Sequence, residues 1–290
     1  MKIFITGGSG LFGSKLAEIA MSKGYEVFSG YRNNVPPHGE PVRYDLLDYG
    51  SIERVIEDIR PDAIVHSAAL TNVDRCEEEP TLAFRMNSLA TKKISEMAKK
   101  YGIYMLYIST DYVFDGRRGY YKETDEINPI NVYGFTKYVG ELWVDAVGRT
   151  SVIYGAKPAS GKVNFALWLI NKLGSGEEVR IIDDQYITPT LNTNLAKMSL
   201  EMVERRLKGV YHLAGETRVS RYDFTVKLAE VFGFDKELIK RSKMAEMNWK
   251  AERPKDSSLN TEKVSGVLNE KPYDLMKSLK VLKKEVYSDG

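Results

Sequence analysis

The segment KIFITGGSGLFG, residues 2–13, decides the fold of this chain. Its first five residues are mostly apolar and predict a buried strand, and apolar residues then recur at helical spacing over 11–23. Gly7, Gly10 and Gly13 lie in and after the turn between them. Glycines at this spacing allow a tight turn, close approach of the backbone to a pyrophosphate and close packing of helix on strand. The segment therefore predicts a dinucleotide-binding unit, in which N–H groups at the helix N-terminus bind phosphates.

The rest of the first half repeats this alternation of strand and helix. The predicted elements are strands at 25–29, 42–44, 61–66 and 103–108 and helices at 51–60 and 79–100. Mostly apolar strands separated by helices are typical of a parallel sheet that helices cover on both faces. The pattern predicts an α/β fold with a doubly wound parallel sheet of Rossmann type. Such sheets bind ligands beyond the carboxyl ends of their strands.

The second half predicts a smaller α/β lobe for the substrate. A helix at 133–147 and a strand at 150–154 complete the first unit. The later predicted elements are helices at 163–173, 192–207 and 220–232, strands at 179–182 and 209–213, and a Lys-rich helix from 272. We therefore predict a dinucleotide-binding domain at 1–155, joined by part of 178–208, and an interleaved substrate-binding lobe at 156–290.

Composition argues against several kinds of protein. The 290 residues include 42 basic and 40 acidic side chains, so the net charge of +2 shows no nucleic-acid footprint. No apolar stretch reaches the roughly 18 residues that a bilayer span needs, which predicts no membrane association. The N-terminus reaches Gly7 too soon for a signal peptide, so we expect a cytoplasmic protein. Because Cys76 is the one cysteine and the three histidines are scattered, we predict no metal site.

The end of the second predicted strand bears on the choice of cofactor. An acidic residue there binds the ribose 2′-hydroxyl of NAD(H), whereas an arginine suits the 2′-phosphate of NADP(H). The sequence GYRNN at 30–34 offers Arg32, and no acid follows until Glu40. Arg32 therefore predicts NADP(H) through charge pairing, with NAD(H) left open as a second cofactor. The alternative is that Arg32 is a solvent-facing loop residue.

Four further residues are candidates for contact with the nucleotide. Asp45 and Leu46 follow the short strand at 42–44 and are candidate adenine contacts. Ala68 and Ala69 follow the strand that ends in His66 and have the small side chains needed where backbone lies against a nucleotide. His66 itself is better explained as a packed core residue than as a catalyst.

The sequence YGFTK at 133–137 is the strongest catalytic signal. Tyr133 and Lys137 are four residues apart and therefore share one helix face. A nearby ammonium favours a phenolate, so we expect Lys137 to lower the pKa of Tyr133 toward the working range. The same lysine can hold ribose hydroxyls. Ser109 and Thr110 add a hydroxyl at the end of a core strand.

Three motifs in this order resemble a known family. TGGSGLFG (6–13), STDYVFDG (109–116) and NVYGFTKYVGE (131–141) together are similar to the extended short-chain dehydrogenases/reductases. More narrowly, the chain resembles the dTDP-4-dehydrorhamnose reductase family along nearly its whole length. Further matching segments are HSAALTNVDRCEEEP (66–80), RTSVIYG (149–155), NF (164–165), DDQYITPT (183–190), GVYHLAG (209–215) and ERP (252–254).

The resemblance assigns roles to particular residues. It implies that Tyr133 donates a proton, that Lys137 is its partner and that Thr110, rather than Ser109, polarises a substrate carbonyl. Asn87 resembles a helix asparagine that supports the lysine through water; the alternative is an asparagine that only satisfies nearby backbone. The residues of the glycine-rich turn that the resemblance places at the cofactor are Gly7, Gly10, Leu11, Phe12 and Gly13.

On the substrate side, the candidates are Thr110, Asp111, Asn164 and Arg253. A nucleotide diphosphate is an anion, so an arginine or lysine is expected opposite the nicotinamide. We predict Arg253 for this role because Pro254 restricts its backbone and the segment resembles a substrate-side motif of the family. The alternative is that Arg253 is an exposed loop charge.

The resemblance implies an NADPH-dependent reductase of a nucleotide-linked 4-keto-6-deoxy sugar, as in dTDP-rhamnose biosynthesis, with a homodimer left open. The family commonly has a tryptophan where this chain has Val152, so the sugar and its nucleotide stay open. An epimerase also stays open, whereas a dehydratase lacks its second carboxylate because Tyr112 follows Asp111. The alternative from another class is a non-catalytic, NADP-binding regulatory subunit, since the β-subunit of methionine adenosyltransferase resembles the same family.

Overall fold

Strands and helices alternate from the first residues onward. A computed structural model describes residues 1–288, so the last two residues of the predicted lobe at 156–290 lie outside the described range. The strands are β1 Lys2–Thr6, β2 Glu26–Tyr31, β3 Glu40–Arg43, β4 Ala63–His66, β5 Tyr104–Thr110, β6 Ala146–Thr150, β7 Ile153–Tyr154, β8 Val179–Ile182, β9 Tyr186–Ile187, β10 Thr190–Leu191, β11 Gly209–His212, β12 Val219–Ser220 and β13 Ile239–Ser242. The helices are α1 Leu11–Ser22, α2 Tyr49–Ile59, α3 Val73–Glu78, α4 Pro80–Phe84, α5 Ala90–Lys100, α6 Val132–Glu141, α7 Phe165–Gly174, α8 Asn192–Glu204, α9 Arg221–Phe232, α10 Glu262–Val267 and α11 Leu275–Tyr287.

A parallel sheet forms the centre of the larger unit. Within residues 1–288 it has seven strands in the order β11–β6–β5–β4–β1–β2–β3, and every neighbouring pair is parallel. The winding direction reverses between β1 and β4, where a crevice opens beyond the carboxyl ends of the strands. The predicted doubly wound parallel sheet is confirmed.

Helices cover both faces of this sheet because each face is apolar. Helices α1 and α8 pack on one face and bury Leu16 and Met198, whereas α2 and α5 pack on the other and bury Ile56 and Ile94. Removing these side chains from water is the main favourable term in holding the layers together. Over the described range 1–288, no helix is long and apolar enough to cross a bilayer.

The smaller unit packs α7, α9 and α11 around short strand pairs. In the part of the chain that the structure describes, these pairs are β7–β10, β9–β12 and β8–β13, and the core contains Leu169, Phe224 and Leu279. Two later elements return to the large unit, since α8 packs on α1 and β11 pairs with β6. The sequence had placed the strand at 209–213 in the lobe, whereas the structure adds it to the large sheet.

A buried ion pair explains why the sequence analysis predicted strand β6 at the wrong residues. Helix α6 ends at Glu141 and β6 covers Ala146–Thr150, whereas a helix to 147 and a strand at 150–154 were predicted. Arg149 lies inside β6 but is only 3% exposed. Its guanidinium Nη2 is 2.7 Å from the Glu141 carboxylate, which also accepts a hydrogen bond from Ser109. A charged residue such as Arg149 argues against a buried strand when only the sequence is known. Its partner Glu141 belongs to a different element, so the sequence does not reveal that the charge is neutralised.

We predict that this pair contributes strongly to stability. In Arg149→Met the Glu141 carboxylate stays buried without its partner, so the free energy of unfolding should fall by about 3–5 kcal/mol in urea denaturation. The exposed pair of Lys172 and Glu177 provides the control, because Lys172→Met should cost no more than about 1 kcal/mol. Equal small losses in both variants would contradict this account.

Candidate active site

A cavity of about 690 Å³ opens at the carboxyl ends of the large sheet and extends to the smaller unit. Its volume is within the range of roughly 300–1,000 Å³ that is common for ligand sites. The predicted residues that line it are Gly7, Gly10, Leu11, Phe12, Gly13, Arg32, Asp45, Leu46, Ala68, Ala69, Thr110, Asp111, Tyr133, Lys137 and Asn164. Of the other predicted residues, Asn87 and Arg253 are not part of the lining. The cavity thus brings the predicted cofactor and catalytic residues together.

The glycine loop, residues 7–13, has the shape that a dinucleotide needs. A Cβ atom on Gly13 would lie 2.2 Å from the Gly7 carbonyl oxygen, and one on Gly8 would lie 2.6 Å from the Ser29 side chain. Gly7 itself has a positive φ of 73°. Helix α1 follows with no side-chain cap at Gly10 and no acidic residue in its first turn. An uncapped helix N-terminus behind a close-packed glycine turn fits the phosphates of a dinucleotide cofactor.

Arg32 and Asp45 lie together at the edge of the cavity. The Arg32 Nε and the Asp45 Oδ2 atoms are 3.4 Å apart, and the two side chains are 54% and 36% exposed. An ion pair this exposed is weak, so a phosphate can compete with Asp45 for the arginine. The predicted roles of Arg32 at a 2′-phosphate and of Asp45 near the adenine stay predictions.

Helix α6 holds Tyr133 and Lys137 against the end of β5. The Lys137 ammonium donates to the Ile108 carbonyl at 2.7 Å and lies 4.1 Å from the centre of the Tyr107 ring. The Tyr133 side chain lines the same cavity wall as Thr110, and the two side chains interact. The structure therefore places the predicted proton donor, its partner lysine and the predicted polarising hydroxyl next to one another.

The start of α6 is fixed by its cap and by a close contact. The Asn131 side chain accepts a hydrogen bond from the Gly134 N–H at 2.8 Å and donates to the Glu252 carbonyl at 2.9 Å. A Cβ atom on Gly134 would lie 2.1 Å from the Tyr112 carbonyl oxygen, so only glycine allows the helix to approach so closely. The cap and the glycine together fix where α6 begins and therefore fix the position of Tyr133 in its first turn.

The pKa values at this site differ from the sequence prediction. Lys137 was expected to lower the pKa of Tyr133, but burial raises the pKa of Tyr133, and the hydrogen bond with Thr110 opposes this only in part. Burial also lowers the pKa of the Lys137 ammonium to about 7, although the Glu141 carboxylate opposes that shift. The prediction is wrong because desolvation of the buried phenol dominates and the neighbouring Asp111 carboxylate raises the pKa of Tyr133 further. Tyr133 therefore keeps its proton at neutral pH, as a proton donor must.

Asp111 and Asn164 lie in the cavity wall toward the smaller unit. The Asp111 carboxylate is buried and accepts hydrogen bonds from the hydroxyls of Thr110, Ser151 and Ser257. Burial raises the pKa of this carboxyl even though the three hydroxyls lower it. Asn164 is the N-cap of α7. Both residues line the cavity, and their roles in binding a substrate stay predictions.

The arginine that lines this wall is Arg221, whereas Arg253 was predicted to do so. Arg253 lies outside the cavity lining, where its Nη2 atom is 3.0 Å from the Asp74 carboxylate and its guanidinium lies 5.3 Å from the centre of the Trp249 ring. Arg221, which the sequence analysis missed, lines the cavity and donates to Gln185 at 2.6 Å. An arginine at the start of a helix gives no sequence signal of its own, because most such side chains face solvent.

Asn87 has a structural role between the loop after β4 and α6. Its amide accepts from the Leu70 N–H at 2.7 Å and donates to the Leu70 carbonyl and the Thr136 hydroxyl, both at 3.1 Å. It lies in a π-helical segment, Arg85–Leu89, that interrupts the single helix predicted at 79–100. These contacts are those of the alternative reading, in which the asparagine satisfies nearby backbone.

His66 is a packed core residue, as the sequence suggested. Its ring nitrogens lie 2.7 Å from the Thr6 hydroxyl and 3.0 Å from the Thr91 hydroxyl. Burial, with a smaller effect of the Lys137 charge, lowers the pKa of His66 to about 3, so the ring is neutral. Among residues 1–288, no group of three or more His, Cys, Asp or Glu side chains is arranged to hold a metal ion.

Comparison with known proteins shows similarity along the whole chain. The family model described as RmlD substrate binding domain matches residues 1–287. The probable low-salt glycan biosynthesis reductase Agl14 of Haloferax volcanii is 34% identical over 277 residues, which are 92% of each chain. The methionine adenosyltransferase 2 subunit beta of Xenopus tropicalis is 30% identical over 242 residues, 80% of this chain and 72% of that one. The dTDP-4-dehydrorhamnose reductase (rfbD) of Bacillus anthracis, solved in complex with NADP, is 27% identical with a TM-score of 0.87, covering 98% of this chain and 99% of that one.

We predict that Lys137 makes stability depend on pH. Its pKa is about 7 in the folded protein and about 10.4 in an unfolded chain, so between these values the unfolded chain binds the additional proton. Stability should therefore rise with pH in this window, by up to about 1.4 kcal/mol per pH unit from this group. Denaturation of wild type, Lys137→Met and the exposed control Lys172→Met between pH 7.5 and 9.5 tests this. Only Lys137→Met should lose the slope; parallel curves for all three proteins would contradict the burial of a titrating ammonium.

Proposed function

Because the chain belongs to the RmlD substrate binding domain family, we propose that it is an NADP(H)-dependent reductase of a nucleotide-linked 4-keto-6-deoxy sugar. The observation that carries the proposal is the presence of Thr110, Tyr133 and Lys137 in the same cavity as the glycine loop. A ketone reductase needs a cofactor cradle, a proton donor and a hydroxyl for the carbonyl oxygen within one site. The similarity to proteins named as reductases supports the same reaction class.

The side chains of the site account for the proton that ketone reduction requires. The hydride for the carbonyl carbon would come from a nicotinamide cofactor held at the glycine loop. Thr110 and Tyr133 both line the cavity, and both hydroxyls can donate to a carbonyl oxygen once the Thr110 hydroxyl turns away from Asp111. Tyr133, whose pKa is raised, then gives its proton to that oxygen as the alcohol forms. Lys137, fixed to the Ile108 carbonyl, positions the helix turn that carries the tyrosine.

NADP(H) is the cofactor that the site favours. The glycine loop and the uncapped N-terminus of α1 fit a pyrophosphate, and Arg32 lies at the cavity edge where a 2′-phosphate can pair with it. The NADP complex of the Bacillus anthracis reductase, which shares the fold, supports this choice. NAD(H) stays a second candidate, because Asp45 is an acid at the same edge that can bind a ribose 2′-hydroxyl. It is the weaker candidate because Asp45 is paired with Arg32.

The wall around Val152 distinguishes this chain from the usual enzymes of the family that it resembles. Val152 lines the cavity and has a positive φ of 37°, which is strained for a β-branched residue. Backbone strain of this kind is concentrated at ligand sites. The family that this chain resembles commonly has a tryptophan at this position. Valine has a smaller side chain, so it leaves more space for the substrate at this wall of the cavity. We therefore propose a keto sugar that differs in shape from dTDP-4-dehydrorhamnose.

A regulatory subunit is the second candidate function. The similarity to methionine adenosyltransferase 2 subunit beta favours it, since that protein matches over four fifths of this chain. Such a subunit needs a cofactor cradle but has no need for a proton donor and its partner lysine. The retention of Thr110, Tyr133 and Lys137 in one cavity favours the enzyme. Cytoplasmic location and a homodimer stay predictions in either case.

We predict that Tyr133→Phe abolishes most of the activity. NADPH oxidation with dTDP-4-keto-6-deoxy sugars, followed by absorbance, should show kcat reduced by about 10²–10⁴-fold, because the proton donor is lost. NADPH affinity should stay within about twofold. Tyr138→Phe, on the same helix but outside the cavity lining, is the matched control and should keep wild-type kcat. A Tyr133→Phe enzyme as active as the control would rule out the phenol as donor.

We also predict that Arg32 discriminates between the cofactors. Arg32→Ala should weaken NADPH binding relative to NADH binding by about 1–3 kcal/mol, because only NADPH carries the 2′-phosphate. Fluorescence titration of both cofactors measures this difference. Arg54→Ala, an exposed arginine on α2 outside the lining, should change neither affinity. Equal losses of NADPH and NADH affinity in Arg32→Ala would remove Arg32 from the phosphate site.

A further inference from the structure

Arg221 is a partly buried cation that lines the cavity without a carboxylate to neutralise it. It is the first residue of α9 in the smaller unit, and its Nε atom donates to the Gln185 side chain at 2.6 Å. Its guanidinium also lies 5.3 Å from the centre of the Phe165 ring. Within residues 1–288, no Asp or Glu lies within ion-pair distance of it. Burial lowers the pKa of the guanidinium, and Tyr112 and the more distant Asp111 carboxylate oppose this shift only in part.

Three other arginines near the smaller unit are neutralised by carboxylates. Arg218 pairs with Asp256 at 2.6 Å, and Arg253 pairs with Asp74 at 3.0 Å. Arg241 stacks on the ring of Tyr222, the residue after Arg221, and pairs with Asp183. A poorly solvated cation is costly unless an anion pairs with it. The unbalanced charge of Arg221 is therefore available to an anionic ligand in the cavity.

The guanidinium is also held in place before a ligand arrives. Gln185 is 1% exposed, donates to the Pro254 carbonyl at 3.1 Å and accepts from both the side chain and the backbone N–H of Arg221. The two terminal nitrogens of Arg221 make no hydrogen bond within the described residues. Their N–H groups form the planar fork that pairs with two oxygens of a phosphate. Preorganisation of this kind reduces the entropy lost on binding.

We propose that Arg221 binds the diphosphate of the nucleotide-linked substrate, an inference that rests on the proposed function. The glycine loop, which lines the same cavity, accounts for the pyrophosphate of the cofactor, so the charge of Arg221 calls for a second anion. In a nucleotide-linked sugar that anion is the diphosphate. Arg253, which the sequence suggested for this role, has its charge already paired with Asp74 outside the lining.

Calorimetry on the protein saturated with NADP⁺ tests the proposal. The ligands are dTDP, UDP, GDP and the three corresponding nucleosides. At least one nucleoside diphosphate should bind to wild type more tightly than the corresponding nucleoside does. Arg221→Gln should reduce the affinity for that diphosphate at least about tenfold. Arg221→Lys, which keeps the charge but loses the fork, should show a smaller loss. Nucleoside affinity and NADP⁺ affinity should be unchanged in both variants, and the thermal unfolding midpoint should not fall in Arg221→Gln, because the charge that it removes is unpaired.

Arg241→Gln is the matched control, because it removes a neighbouring arginine that is exposed and outside the lining. It should bind the diphosphates like wild type. The proposal is overturned if Arg221→Gln does the same, or if no diphosphate binds wild type better than its nucleoside. The proposed reductase function fails separately: absence of NADPH oxidation on keto sugars, with Arg221-dependent diphosphate binding intact, would reject the reaction and retain the binding role.

Discussion

The hydrogen bond from the Lys137 ammonium to the Ile108 carbonyl, at 2.7 Å, sets the arrangement of the whole site. It joins the middle of α6 to the end of β5 in the protein interior, where an ammonium without a partner would be costly. Tyr133 lies one helical turn before Lys137, and Thr110 lies two residues after Ile108 on the strand. The same bond therefore brings the Tyr133 phenol close to the Thr110 hydroxyl. The position of α6 along β5 thus determines the geometry of the site.

Close packing keeps α6 in that register. A Cβ atom on Gly134 would lie 2.1 Å from the Tyr112 carbonyl oxygen in the turn after β5, and one on Gly140 would lie 2.6 Å from the Tyr107 hydroxyl of β5. The helix can therefore approach the strand and its following turn only with glycine at both positions. From the other side, Asn87 of the π-helical segment donates to the Thr136 hydroxyl. Interiors packed this densely transmit small shifts, so changes along this helix reach the site even where they do not line it.

Local patterns were sufficient to predict the sheet and the cofactor cradle, since both depend on short stretches of sequence. The glycine loop and the apolar strands have their own signature, and Tyr133 with Lys137 follows from helical spacing. The strand β6 was misplaced because its buried Arg149 is neutralised by Glu141, which comes from another element. The roles of Arg221 and Arg253 were also set by tertiary partners, Gln185 and Asp74, that the sequence does not reveal. Whether an arginine is paired or available depends on its neighbours in space.

The central claim is that this cavity reduces a ketone and does not only hold a cofactor. Transfer of deuterium from NADPH labelled at the reactive carbon of the nicotinamide tests it most directly, with mass spectrometry of the sugar after incubation with dTDP-4-keto-6-deoxy sugars. The account predicts a single deuterium on the new carbinol carbon, with the hydroxyl proton drawn from solvent through Tyr133. An unlabelled sugar from a protein that binds NADPH normally, and that instead associates stoichiometrically with another enzyme, would contradict it.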